Sequence, residues 1–173
     1  MNPPGDFLLS RNFTFYELTK TNNKQLQVIN RNRGLEFEDK LRELADMLEG
    51  IRNHIGGPLA IHSGFRCQEL NDATPGSSGR SQHLLGEAVD YSAMGQDTPE
   101  SIEVLFQKTL SCLIAGGMTF GQIIKETAQR EYGKVQWIHL SLGVPHRPVE
   151  RCGQVLEMLD GKYSLIKQIP LGR

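Results

Sequence analysis

Cysteine is scarce in this chain. Its 173 residues hold three, Cys67, Cys112 and Cys152, too few and too widely spaced for a disulfide framework. No C-x-x-C pair exists, which excludes a cysteine-based zinc site and a thioredoxin-like motif. Three reduced thiols are the expectation, and they fit synthesis in a reducing cytoplasm. Charge of one sign is also missing. The 19 Lys and Arg are balanced by 20 Asp and Glu, for a net charge of -1, and the basic residues are scattered among acids. That removes the electrostatic case for a nucleic-acid partner or an anionic membrane surface. No apolar run approaches the roughly 20 residues needed to span a bilayer. The opening "MNPPGDFLLSRNF" has neither the basic n-region nor the apolar h-region of a signal peptide. A monomer made in the cytoplasm is expected.

What is present is ordinary for a globular protein, with 38% hydrophobic and 23% charged residues. The length suits a single domain over residues 1–173 with its own core. Thr14 is an N-cap signal for a short helical turn over "TFYELTK". Leu35, Phe37, Leu41, Leu44, Met47, Leu48, Ile51 and Ile55 recur at helical intervals, and Gly56-Gly57 stop that helix. Pro58 then hands over to a strand in "GPLAIHSGFR". "NDATPGSSGRS", residues 71–81, is a run of turn formers and reads as a loop. "GEAVDYS" reads as a short strand. Thr98 and Pro99 open a second long helix that ends at Gly116-Gly117. "FGQIIKET" and "KVQWIHLSL" form an antiparallel hairpin, and Asp160-Gly161 marks a type I′ hairpin in "VLEMLDGKYSLI". Helices with a small antiparallel sheet make the fold class α+β.

Alternation along the strands picks out candidate site residues. In "WIHLSL", Ile138, Leu140 and Leu142 share one face, and Trp137, His139 and Ser141 share the other, away from the expected core. Asp90 likewise lies opposite Val89 and Tyr91. Adjacent strands bring Asp90 and His139 together, and a turn at Gly86 folds His83 over them. Two imidazoles and a carboxylate are a donor set for catalytic zinc, with a fourth position open. Spacing alone leaves two readings: a metal site, or unrelated polar residues.

Three segments taken together carry a resemblance: "SGFRCQELN" at 63–71, "SQHLLGEAVDYS" at 81–92 and "WIHLS" at 137–141. They resemble the S-G-F/Y-R, S-x-H-x-x-G-x-A-x-D and W-x-H patterns of zinc D-Ala-D-Ala carboxypeptidases and L-Ala-D-Glu endopeptidases. These enzymes cleave peptidoglycan stem peptides and include many phage endolysins. "NFTFYELTKT" and "FGQIIKE" are also similar, so the resemblance spans most of the chain. It implies a hedgehog/DD-peptidase-like fold and a zinc ion held by His83, Asp90 and His139. It also implies that Ser81 braces the His83 loop, and that Arg66 and Trp137 meet the stem peptide. Arg66 would bind a substrate carboxylate or stabilise the oxyanion, since its guanidinium is a permanently charged fork of donors. A structural salt bridge is the other reading of Arg66.

The general base departs from the pattern. Many relatives carry an acid three residues before the last histidine ligand, where this chain has Gln136. Glu126 is the preferred base, because a register pairing it with Trp137 puts it on the His139 face. Glu87 and Glu131 are the rivals. His62 reads as structural or superficial, His54 as a helix-end cation, and His146 matches no motif position. Two functions follow from the resemblance. One is a zinc peptidase acting on the cell wall as an endolysin. The other is a catalytically inactive, zinc-stabilised binding domain of the same fold, as in hedgehog-type signalling domains. Which wall bond is cut stays open.

Overall fold

The computed structural model describes residues 5–95, 98–131, 133–143 and 152–170. The described elements are helices α1 (Phe15–Thr19), α2 (Gln27–Gly34), α3 (Glu38–Ile55), α4 (Gln68–Asp72) and α5 (Pro99–Ala115), and strands β1 (Leu59–Ser63), β2 (Ala88–Ala93), β3 (Phe120–Arg130), β4 (Gly133–Leu142), β5 (Gln154–Leu159) and β6 (Lys162–Gln168). The strands form one six-stranded sheet in the order β1-β2-β4-β3-β5-β6. The class is α+β, as the sequence predicts. By contacts the chain divides into two compact units, Met1–Glu49 with Ile61–Val89, and Gly50–Ala60 with Asp90–Arg173.

In the first unit, Thr14 caps α1 through a reciprocal box. Its hydroxyl accepts from the Glu17 N–H, and the Glu17 carboxylate accepts from the Thr14 N–H. The apolar stripe of α3, with Leu41, Leu44, Ala45 and Leu48, is fully buried. Phe15, Leu18 and Phe65 are buried in the same unit, and Phe37 stacks on Phe65 at 5.0 Å. Two helices went unread in the sequence. "QVINRNRG" forms α2 although it lacks an apolar stripe, and α4 takes in Asn71 and Asp72, which read as loop.

In the second unit, α5 starts at the Thr98 cap, with Pro99 in its first turn. It packs Ile102, Leu105, Phe106 and Leu113 into the core on one face of β3 and β4. The β3–β4 hairpin sets Glu126 opposite Trp137, the register on which the choice of Glu126 depends. Asp160 and Gly161 both take positive φ, 47° and 82°, as a type I′ turn requires.

Two features differ from expectation. The sheet is not purely antiparallel, because β3 and β5 run parallel. Strand β4 makes the return that a parallel pair needs: it ends beside Phe120, and β5 begins beside Gln122. The second difference is that both faces of β4 are covered. Ile138 and Leu140 are fully buried, but so is Ser141, and His139 is only 8% exposed. A second apolar cluster is present, Ile124, Leu156 and Met158 with Trp137 packed against it. It lies on the His139 side of the sheet.

Candidate metal centre

His83 is held by a chain of backbone contacts in the first unit. Gly64 follows β1 and approaches α1 so closely that a Cβ there would lie 2.3 Å from the Leu18 carbonyl oxygen. The next amide, Phe65 N–H, donates to that same oxygen at 2.7 Å. Asn30, fully buried on α2, fixes the segment from the other side. Its Nδ2 donates to the Thr19 and Phe65 carbonyls at 2.7 and 3.1 Å, and its Oδ1 accepts from the Cys67 N–H at 2.7 Å. The Gly64 carbonyl is thereby aimed at His83 Nδ1, 2.6 Å away. A carbonyl oxygen only accepts, so Nδ1 carries the hydrogen. In the neutral ring Nε2 then presents the lone pair, which is how a metal-ligating histidine is oriented.

The local turn around His83 has its own causes. Ser81 caps the 3-10 turn Gln82–Leu85, its hydroxyl accepting from the His83 N–H at 3.4 Å. Gly86 closes the turn at φ 65°, and a Cβ there would press on Phe37 at 3.1 Å. The Arg66 N–H donates to the His83 carbonyl at 3.0 Å. This places the arginine's backbone directly beside the histidine's.

Asp90 and His139 come from the second unit. Tyr91 points its hydroxyl to Thr109 on α5, 2.9 Å away, so its neighbour Asp90 projects from the opposite face of β2. There His139 Nδ1 stands 2.9 Å from Asp90 Oδ1, both side chains largely buried. One ligand atom from each of His83, Asp90 and His139 lies within 4.8 Å of the others. The donor set and the carbonyl behind His83 both fit a divalent metal.

The other predicted residues are distributed as follows. Glu126 is half-buried on β3, and its register with Trp137 puts it on the His139 face. Gln136 faces the other way and donates to Thr127 Oγ1 at 2.9 Å. Glu131 is exposed in the turn of the hairpin, and Glu87 is buried just before β2. Trp137 packs on the apolar cluster beside His139. His62 and His54 are exposed, and His146 lies outside the described residues. Burial raises the thiols of Cys67 and Cys112 above their ordinary value, so neither is a ready nucleophile. Sequence reading missed Asn30, which carries no local signal. Gly64 stood in a quoted motif, but its close approach to α1 shows only in three dimensions.

A family model for peptidase M15 matches residues 11–141, well over half of the chain. The chain belongs to the peptidase M15 family. All three motif segments fall inside the matched stretch, which ends two residues after His139. A search of curated proteins finds no match. M15 enzymes are metal-dependent peptidases, so the His-Asp-His cluster of this M15 chain is its candidate metal centre and its substrate contains a peptide bond. No helix among the described residues of this M15 peptidase is long and apolar enough to cross a membrane.

Proposed function

We propose that this M15 chain is a zinc peptidase that hydrolyses peptide bonds in peptidoglycan stem peptides, of the phage-endolysin type. On this reading it works as a single catalytic domain and a monomer, made in the cytoplasm and acting on the cell wall. The observation that carries the reading is the convergence of His83, Asp90 and His139 within 4.8 Å, with a carboxylate, Glu126, on the His139 face of the sheet. The motifs shared with wall-degrading enzymes support the choice of substrate.

His83, Asp90 and His139 would hold a zinc ion. Zinc, when bound, supplies the Lewis acidity that polarises the scissile carbonyl and acidifies the attacking water. The Glu126 carboxylate would serve as the general base, taking a proton from the attacking water and passing it to the leaving amine. Arg66 orients the stem peptide through a carboxylate or takes up charge on the carbonyl oxygen. Ser81 keeps the His83 turn in place.

Metal analysis after zinc loading tests the site, with about one zinc per chain expected. Incubation with purified peptidoglycan then tests the activity, and the new termini identify the bond cut. A protein that binds zinc fully and hydrolyses no wall peptide would be a binding domain of the same fold instead.

A further inference from the structure

Strands β5 and β6 lie beyond the stretch matched by the M15 model, so family membership assigns them no role. The sheet register nevertheless ties them to the site. Trp137 on β4 opposes Glu126 on β3, Glu126 opposes Met158 on β5, and Met158 opposes Tyr163 on β6. Residues opposite one another share a face. Tyr163 therefore stands at the end of a row that starts beside His139 and passes through Glu126.

From this geometry we infer that Tyr163 is a substrate-positioning residue of the peptidase, its phenol donating a hydrogen bond to a carbonyl or carboxylate oxygen of the bound peptide. The inference rests on the peptidase reading above. The ring is 60% exposed over a nearly buried Met158, so it is open to a ligand while its strand is anchored. Its hydroxyl is also raised above the ordinary phenol value, first by burial and then by the carboxylates of Glu126 and Asp90. Asp90 is on β2, with β4, β3 and β5 between it and β6. Even so, Asp90, Glu126 and Tyr163 share one face of the sheet, Asp90 through its contact with His139. A phenol that keeps its proton is a donor, as an oxygen of a peptide requires.

The test compares Tyr163→Phe with the wild type on a stem pentapeptide. The substitution removes only the hydroxyl of an exposed ring, and the melting temperature and bound zinc should not move. KM should rise about ten-fold with kcat within two-fold, the scale of one hydrogen bond to substrate. The same substitution in a Glu126→Gln background should raise the Kd for the pentapeptide by a similar factor, a readout independent of turnover. Ser164→Ala, one residue along and on the opposite face, should change neither constant. If the wild type cleaves the peptide and Tyr163→Phe leaves KM and Kd unchanged, the assignment of Tyr163 is wrong. If the wild type neither binds nor cleaves it, the peptidase reading fails and takes this assignment with it.

Discussion

Gln136 donates its amide to Thr127 Oγ1 at 2.9 Å, on the side of the hairpin that faces away from His139. In a regular strand, positions three apart point to opposite faces. The place where many relatives carry an acid is thus used in this chain for a cross-strand hydrogen bond. On the His139 face of this hairpin stands the carboxylate of Glu126. Glu126→Gln should lower kcat by at least about 100-fold, the usual scale of a lost general base, with zinc content unchanged. Adding Gln136→Glu to that variant should restore nothing. Recovery of hydrolysis in the double variant would move the base to position 136.

Gly64 links helix packing to the metal. Any side chain there meets the Leu18 carbonyl at 2.3 Å, and the obstacle is backbone, which cannot swing aside. Gly64→Ala should therefore displace the carbonyl that holds His83 Nδ1. Losing such a support typically costs about 10- to 100-fold in metal affinity. Competition with a chromogenic chelator measures it, and an affinity equal to wild type would show that the Gly64 carbonyl does not orient His83.

Asn30 serves the same segment from α2. One buried amide satisfies three backbone groups, the carbonyls of Thr19 and Phe65 and the amide of Cys67. Asn30→Leu keeps the volume and strands all three, each at a cost of about 1–3 kcal/mol. A loss of at least about 3 kcal/mol in urea unfolding is expected, against well under 1 kcal/mol for Gln25→Ala on the exposed surface.

These cases mark where sequence reading works and where it stops. Period and punctuation mark the Thr14 and Thr98 caps, the α3 stripe and the Asp160-Gly161 turn, because each is set by residues close in the chain, whereas they leave the Glu126–Trp137 register open. Helix α2 was illegible because its key residue, Asn30, is polar and buried, and nothing nearby announces its partners at Thr19, Phe65 and Cys67. The parallel β3–β5 pair depends on which edge of β3 the chain returns to, which no local pattern encodes. Alternation along β4 points His139 away from the side of Ile138 and Leu140, but it does not encode the near-complete burial of His139 beside Asp90 of β2. The three metal-ligand candidates were legible through the family resemblance of their motifs, since spacing alone left two readings, whereas Tyr163 was not legible. Its relation to Glu126 runs through two strand registers.

Lys125 makes stability depend on pH at both ends of the range. It sits on β3 between Glu103 of α5 and Glu157 of β5, at 2.6 and 3.0 Å. The hydrogen bond from Lys125, helped by Gln107, holds the Glu103 carboxyl below its ordinary 4.5. Burial works to lower Lys125, but its bonds to the two glutamates outweigh that and raise it above 10.5. A depressed acid contributes stability above its unfolded value and loses it as pH falls through the folded one. A raised lysine contributes below its unfolded value and loses it as pH rises through the folded one. The cluster should therefore stabilise the fold between about pH 4.5 and 10.5 and fade outside that window. Both glutamates are nearly half exposed, so solvent screening limits the effect to about 1 kcal/mol or less. Urea unfolding of Lys125→Met against wild type should show that difference constant near neutrality and shrinking as pH drops below about 4.5. It should also shrink with added salt, and a difference indifferent to both would trace the loss to packing of the lysine stem instead of its charge.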